Sequence, residues 1–504
     1  MSLRIYDTRE RHKLVFEPLL PGKVGIYSCG VTVYDLCHVG HARKEVAFDV
    51  IVRHLRASGY AVRYVRNVTD VDDKIIRRGQ AEGRPAIEVA REFEAAMATD
   101  MASLGVLPPD VEPRATENID EVIDVIKRLE ARALAYPAEG DVYYAVAGFG
   151  PYGQLSGQSV DDLRAGARIE IGEHKRSPLD FALWKAAKPG EPAWESPWGP
   201  GRPGWHIECS AMAHRYLGEV FDLHGGGTDL IFPHHENEIA QSEGAFGVGT
   251  FARRWLHSGM VTFGGEKMSK SLGNVVTIRR VAETHDLEAL RLLLVAVHYR
   301  SPVSFEIARD EAGRQQYPDL DQAEERLEYF YRTLERIDQA GIPATETGAG
   351  EVVAPADRTL AAFREAMDDD FNTAAALGHL YESFVLANKL LDDPKAAAKD
   401  VRRRTLARLR SELRACGETL GIFTRPAAEF LLARRTRLCA RHGIDAAAVE
   451  ARIGERAAAR GAKDFTRADE IRQALRATGI ELMDAAAGTS WRIGPIAAPA
   501  AREG

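Results

Sequence analysis

Across this chain there is no uninterrupted apolar run long enough to cross a bilayer, and its opening residues, Met1-Ser2-Leu3-Arg4-Ile5-Tyr6-Asp7, lack a signal-peptide core. A membrane class and an exported class are therefore not expected, and the cytoplasm is the expected compartment. Cysteine is scarce. Five residues, at positions 29, 37, 209, 416 and 439, are odd in number and widely scattered, which argues against a disulfide framework. No internal repeat is present, which argues against a repeat architecture. The glycines of Gly25-x-x-x-x-Gly30 and Gly225-Gly226-Gly227 do not make the dinucleotide fingerprint, which counts against a nicotinamide oxidoreductase.

Positive charge is also in deficit: the net charge is −8, an unpromising value for a protein that binds nucleic acid. The deficit is uneven. Residues 425–504 carry fourteen Lys and Arg against ten Asp and Glu, a net of +4, so the preceding body carries −12. A basic C-terminal piece on an acidic body suits a local nucleic-acid footprint, although mildly basic helical domains are common without one. With 45% hydrophobic and 28% charged residues the composition is that of a globular protein, and 504 residues suggest about three or four domains.

Two short strings carry the chemistry. In the first, strand-like residues 24–29 run into a turn, and His38-Val39-Gly40-His41 then opens a segment with apolar residues at helical spacing: Ala42, Val46, Phe48, Val50, Ile51 and Leu55. At a helix start, unpaired N–H groups and the dipole favour a polyphosphate, and imidazoles three apart share a face. The second string, Lys267-Met268-Ser269-Lys270-Ser271, lies in a loop flanked by Gly264, Gly265 and Gly273, where two lysines could close over phosphates. Taken singly, the first reads as a surface pair or half a metal site and the second as a solvated loop. Their joint occurrence points to activation of a carboxylate by ATP.

A further set could hold a metal. Cys29 ends the first strand, and Cys209 lies in Gly204-Trp205-His206-Ile207-Glu208-Cys209-Ser210. His234 and Glu238 lie four apart in Phe232-Pro233-His234-His235-Glu236-Asn237-Glu238. Two thiolates, an imidazole and a carboxylate are a plausible zinc shell. By spacing alone, ligands scattered from residue 29 to residue 238 are no compact zinc motif, and buried thiols beside a solvated acidic helix read at least as well.

The two strings resemble the signature boxes of class I aminoacyl-tRNA synthetases, with Val39 the one departure. The surroundings of Cys29, Tyr34-Asp35-Leu36-Cys37-His38, residues 202–212, His224-Gly225-Gly226-Gly227-Thr228-Asp229-Leu230 and residues 233–241 are similar almost letter for letter to the cysteinyl-tRNA synthetase family. The resemblance runs through nearly the whole chain and is weakest at 340–355, 424–456 and beyond 494. It implies an α/β fold with a Rossmann-like parallel-sheet catalytic domain in two halves, residues 1–120 and 205–310. An acceptor-end insertion at 121–204 would split them, with a helical bundle at 311–424 and a small anticodon-binding domain with a flexible tail at 425–504.

It also implies roles. His38, His41, Lys267 and Lys270 would be catalytic. ATP would lie against His38, Gly40, His41, Gly227, Asp229 and Lys270, with Mg2+ accompanying it. Cysteine would meet Cys29, Gly30, Thr32, Trp205 and His224. One zinc per chain would sit on Cys29, Cys209, His234 and Glu238, where a soft thiolate is favoured over the hydroxyl of serine. Asp484, Trp491 and Arg492 would read the anticodon, Trp491 by stacking a base. The implied partners are tRNA(Cys), ATP and L-cysteine, acting with a monomeric enzyme and no membrane. Two neighbouring readings stay open: a ligase joining cysteine to an amino sugar, which would need no anticodon module, and a non-catalytic RNA-binding paralogue, which would be expected to lose a signature residue. The outer stretches read more coarsely: 186–204 as a loop rich in Pro, Gly and Trp, 320–340, 356–392 and 399–420 as amphipathic helical runs, 342–355 as a loose loop, and the Ala-rich tail after Pro495 as disordered.

Overall fold

The computed structural model describes residues 2–159, 174–263, 266–267, 275–310, 313–343, 346, 349–485 and 488–494. Lys270 with the rest of its loop at 268–274, Gly264 and Gly265, part of the 342–355 loop, and the tail from 495 lie outside the described residues.

Four parallel strands build the central sheet in the spatial order Phe251–Ser258, Val220–Gly227, Lys23–Ser28, Ala61–Arg66. Val24, Ile26 and Tyr27 are all buried, so Lys23–Ser28 is covered on both faces, as a parallel strand with helices on either side must be. Helix Val39–Ala57 returns the chain from this strand to Ala61–Arg66, and helix Glu236–Phe246 returns it from Val220–Gly227 to Phe251–Ser258. The chain thus winds outward in opposite directions from the pairing of Tyr27 with His224 and Ser28 with Gly225. A crevice opens at the carboxyl ends of strands where the winding reverses, and that is the natural seat of a ligand in such sheets.

In the chain, between strands Ala61–Arg66 and Val220–Gly227, lies the insertion, built on helix Ile119–Ala131 and an antiparallel sheet in the order Ala135–Ala138, Asp141–Tyr144, Phe181–Ala186, Gly201–Pro203. The expected loop at 186–204 therefore contains a strand: Gly201–Pro203 pairs with Phe181–Ala186, and Trp194 bridges Gly201. Glycine and proline at a sheet edge mask a strand from pattern reading. The expected helical run at 356–392 is also interrupted, into Thr359–Asp368 and Thr373–Asp392. At the break Asp370 and Phe371 have φ of 67° and 52°. The Asp370 carboxylate is buried there, accepting from Tyr6 N–H, Tyr299 O–H and Arg300, and so ties the bundle to the N-terminal strand.

The bundle is completed by Pro318–Gln339 and Lys399–Leu420, and its apolar core is continuous with the face of the sheet that packs on Val39–Ala57. Arg291, fully buried, joins these bodies: its guanidinium meets Asp49 and donates to the carbonyls of Leu420 (2.8 Å) and Leu104 (3.2 Å). Gly421, at φ +68°, lies so close that a Cβ would come within 2.2 Å of that guanidinium, so only glycine serves.

Helix Ala427–His442 straddles two cores. Its Phe430 stacks on Tyr331 at 4.2 Å in the bundle, while Leu438 and Cys439 belong to a small core shared with Ala446–Gly461, Phe465–Ala477 and the hairpin Ile480–Ala485/Gly488–Ile493. Arg434, Arg437 and Arg441 along this helix meet Glu328, Glu324 and Asp321 along Pro318–Gln339. Among the described residues no helix is long and apolar enough to cross a membrane.

Replacing Arg291 with Met leaves the buried Asp49 carboxylate, among the described residues, with only Arg53 and the Leu107 N–H. The expected cost is about 3 kcal/mol, as for a broken buried ion pair, read as a lower urea midpoint with an unchanged slope.

Candidate functional site

The crevice holds a cavity of about 350 Å³ lined by Cys29, Gly30, Thr32, His38, Gly40, His41, Trp205, Gly227 and Asp229. Nine residues singled out in the sequence thus meet in one place. Helix Val39–Ala57 starts with an unusual reciprocal cap: His41 N–H donates to His38 Nδ1 and His38 N–H to His41 Nδ1, both at 3.3 Å. The rings stack with centroids 3.7 Å apart, so helix geometry alone orients both imidazoles.

Backbone bonds tie the second string to the first. Val39 N–H donates to Val276 O (3.0 Å), Ile278 N–H to Cys37 O (3.0 Å), and His38 bridges Thr277. These residues leave the Lys-Met-Ser-Lys-Ser loop; on its near side, strand Glu266–Lys267 pairs antiparallel with Val261–Phe263. Lys267 is thereby placed by its backbone beside the cavity wall at Val261, whereas Lys270 lies outside the described residues.

Gly30 illustrates how tightly the cavity floor is built. A Cβ there would sit 1.6 Å from the carbonyl oxygen of Asn67, and the Gly30 N–H donates to the Asn67 side chain at 2.8 Å. Behind the floor lies a buried cluster. Cys29, at the end of its strand, Cys209 on helix Trp205–Leu217, His234 and Glu238 bring one donor atom each within 4.8 Å of one another. The two sulfurs are 3.6 Å apart, and Glu238 accepts from Cys29 at 3.2 Å and from His234 at 2.9 Å. His224, whose Nδ1 is 3.0 Å from Tyr27 O, presents Nε2 to the other oxygen of Glu238 at 2.7 Å. Trp205, half-exposed at the mouth, stacks on His234 at 4.2 Å.

Burial opposes charge throughout this cluster, and at three of the four donors partners override it. Burial raises Glu238, but His224 and His234 hold it well below the usual carboxylate range. Burial depresses His234, but Glu238 and Cys209 raise it to about 10. Burial raises Cys209, but the Cys29 thiol and His234 outweigh it and bring it to about 6. Cys29 itself is pushed well up by burial and by its partner sulfur. Two sulfurs, one imidazole and one carboxylate, all buried and converging, form a donor set for a soft divalent ion, which would bind as the thiols and the imidazole give up their protons.

Other lining residues were given no role by the sequence: Tyr34, Lys44, Glu45, Lys74, Leu230 and the run Ser258-Gly259-Met260-Val261. The signal for the run was positional, since it follows a sheet strand at its carboxyl end. Glu45 is buried between Lys44 (2.6 Å) and Arg66 (2.7 Å), and Arg66 continues to Glu112. Burial raises the Glu45 carboxyl, but Arg66 and Lys44 bring it to about 2.

The three residues expected to read an anticodon lie apart, in the C-terminal unit. Trp491 is 2% exposed, packed in the small core with Nε1 donating to Glu450 at 2.7 Å, so its ring is not offered to a base. A lone Trp between turn residues reads equally as surface or core. Asp484 is clasped by both ends of the Arg456 guanidinium at 2.8 Å, and Arg492 pairs with Glu481.

Comparison with known proteins adds to this geometry. A model for the class I tRNA synthetase (C) catalytic domain matches residues 15–312, and a DALR domain model matches 362–424. A cysteine–tRNA ligase of Geobacter metallireducens is 52% identical, covering 98% of this chain and all of that protein. One of Anaeromyxobacter dehalogenans is also 52% identical at the same coverage. In three dimensions the chain is similar to a Mycobacterium tuberculosis methionyl-tRNA synthetase bound by methionyl-adenylate, with a TM-score of 0.57, 16% identity, and 81% of this chain and 93% of that one covered. At that identity the likeness speaks for the fold alone.

The depressed Glu45 carboxyl sets an acid dependence. Its contribution to stability is complete above pH 4.5 and is lost as the pH falls through about 2. Glu45→Gln is expected to flatten the loss of stability across that window, measured by urea unfolding at successive pH values.

Proposed function

This chain belongs to the cysteine–tRNA ligase family of class I synthetases, and on that premise we propose how its residues divide the work of activating L-cysteine with ATP and passing it to tRNA(Cys). The observation that carries the assignment of the site is the convergence of Cys29, Cys209, His234 and Glu238 immediately behind the cavity that His38 and His41 line.

The donor set fits zinc: two sulfurs, one imidazole and one carboxylate, fully buried and mutually within bonding reach of one ion. Bound there, one zinc per chain would supply a soft Lewis acid for the substrate sulfur, preferred over the harder hydroxyl of serine. A hydrophobic pocket alone separates such near-isosteres poorly. Trp205 walls the amino-acid end, Gly30 and Thr32 contribute its floor, and His224 braces Glu238 from behind.

In the first step an oxygen of the cysteine carboxylate attacks the α-phosphorus of ATP, a P–O bond to pyrophosphate breaks, and negative charge gathers on the phosphate oxygens. His38 and His41, prearranged at a helix N-terminus, donate to those oxygens, with Lys270 and Lys267 closing from the loop and Mg2+ accompanying ATP. Such fixed donors act without reorganising during the reaction. Gly40 and Gly227 let the chain approach the nucleotide, and Asp229 accepts from ribose hydroxyls. In the second step a hydroxyl of the terminal ribose of tRNA attacks the activated carbonyl and AMP leaves. The C-terminal unit together with helix Ala427–His442 is proposed to hold the anticodon, with Arg492 and Asp484 at its surface and Trp491 supporting them from the core. A monomer working in the cytoplasm completes this reading.

Cysteine-dependent ATP–pyrophosphate exchange, with and without the tRNA, tests it directly. His41→Ala should slow adenylate formation about a hundred- to a thousandfold while leaving cysteine binding without ATP unmoved. Purified protein should retain about one zinc per chain by elemental analysis, and Cys209→Ser should lose zinc and blunt rejection of serine. A metal-free enzyme that still rejects serine would sink the sieve.

A further inference from the structure

Arg43 sits two residues past His41 on the same helix and is 2% exposed, yet among the described residues its hydrogen bonds go only to main-chain carbonyls. It donates to Leu294, Val297 (3.3 Å), His298 (2.6 Å), Tyr299 (3.0 Å) and Ser301 (3.1 Å). Leu294 belongs to the last turn of helix Leu287–Val295, whose carbonyl end favours a cation. A guanidinium so buried, with both terminal nitrogens committed to one turn, is an expensive arrangement unless the position of that turn matters.

The turn leads straight to the cavity wall. Tyr299 O accepts from Gly259 N–H (2.8 Å), Met260 O accepts from Val303 N–H (2.9 Å), and Val261 pairs in register with Val303. Gly259, Met260 and Val261 line the cavity, and the same strand runs on to the pairing with Lys267. Main-chain bonds from Val39 and Ile278 already register the far side of the Lys-Met-Ser-Lys-Ser loop against the His38 segment. We propose that Arg43 is a positioning residue for adenylate formation: it registers the strand leading into that loop against the helix that carries His38 and His41. Both described flanks of the loop, at Val261–Phe263 and at 276–278, are then referred to one rigid element. This rests on the assignment of that cavity to ATP.

The test uses the full-length enzyme with Arg43→Met and Arg43→Lys. Lysine keeps a cation against the helix end but cannot span five carbonyls. Both variants should lower kcat for pyrophosphate exchange by about tenfold to a hundredfold, the scale of a sub-ångström to one-ångström misplacement. Cysteine affinity measured by dialysis without ATP should stay within about twofold, because the metal cluster is held by other elements. Hydrogen exchange should quicken at residues 297–303 and remain slow at 236–246. Unchanged kcat in a folded variant would overturn the proposal, as would a parallel loss of cysteine affinity, or failure of both variants to fold. An inactive wild-type enzyme would instead count against the proposed reaction itself.

Discussion

A single buried carboxylate sets the terms for the catalytic half of this molecule. Glu238 has no exposed surface, and a charge in that position is tolerated only with partners on every side. It takes His224 from the Val220–Gly227 strand, His234 from the turn before its own helix, and Cys29 from the strand at the other end of the sequence. Those partners cannot converge unless Lys23–Ser28 lies directly beside Val220–Gly227. The sheet topology and the charge cluster therefore imply each other. Breaking the strand pairing would strand the carboxylate, and neutralising the carboxylate would remove the reason for the histidines to be dry.

The neighbouring residues on that same short segment also serve the surroundings, and His235 does so while its Nε2 stays among the donors near Cys29, His224 and Glu238. Glu236 accepts from the N–H groups of Gly153, Leu155 and Ser156, and Asn237 accepts from Tyr152, so the insertion is moored two residues from the donors. His235 runs the other way, to His257 and through it to Thr8. Five consecutive polar residues are buried: the first and last meet in the cluster, and the three between them also reach other parts of the structure. Stability and chemistry are not separable along this stretch.

Much of this was legible in the order of residues, and for identifiable reasons. The strand before His38 and the helix after it follow from β-branched residues and helical spacing, and the cavity gathers the residues named beforehand around them. The four cluster donors were not legible from spacing, because the proximity of Cys29 to Cys209 depends on strand pairing across 180 positions, which no local pattern encodes. Only likeness to a family suggested it. The strand at Gly201–Pro203 was hidden by glycine and proline, and the helix break at Asp370 by a carboxylate whose partners, Tyr6, Tyr299 and Arg300, are all distant in sequence. The burial of Trp491 was not legible either, because an indole suits a base or a core equally and only packing decides.

The reciprocal cap at the helix start has one more consequence, for protons. Each imidazole spends its Nδ1 lone pair on a backbone N–H, so a neutral ring there must carry its hydrogen on Nε2. The backbone therefore chooses the tautomer of both histidines before any substrate arrives. Asparagine or glutamine could imitate the donor, but neither would inherit a tautomer locked by the first turn of the helix. The two-histidine signature is in this sense a property of the main chain, written into side chains that happen to be able to read it.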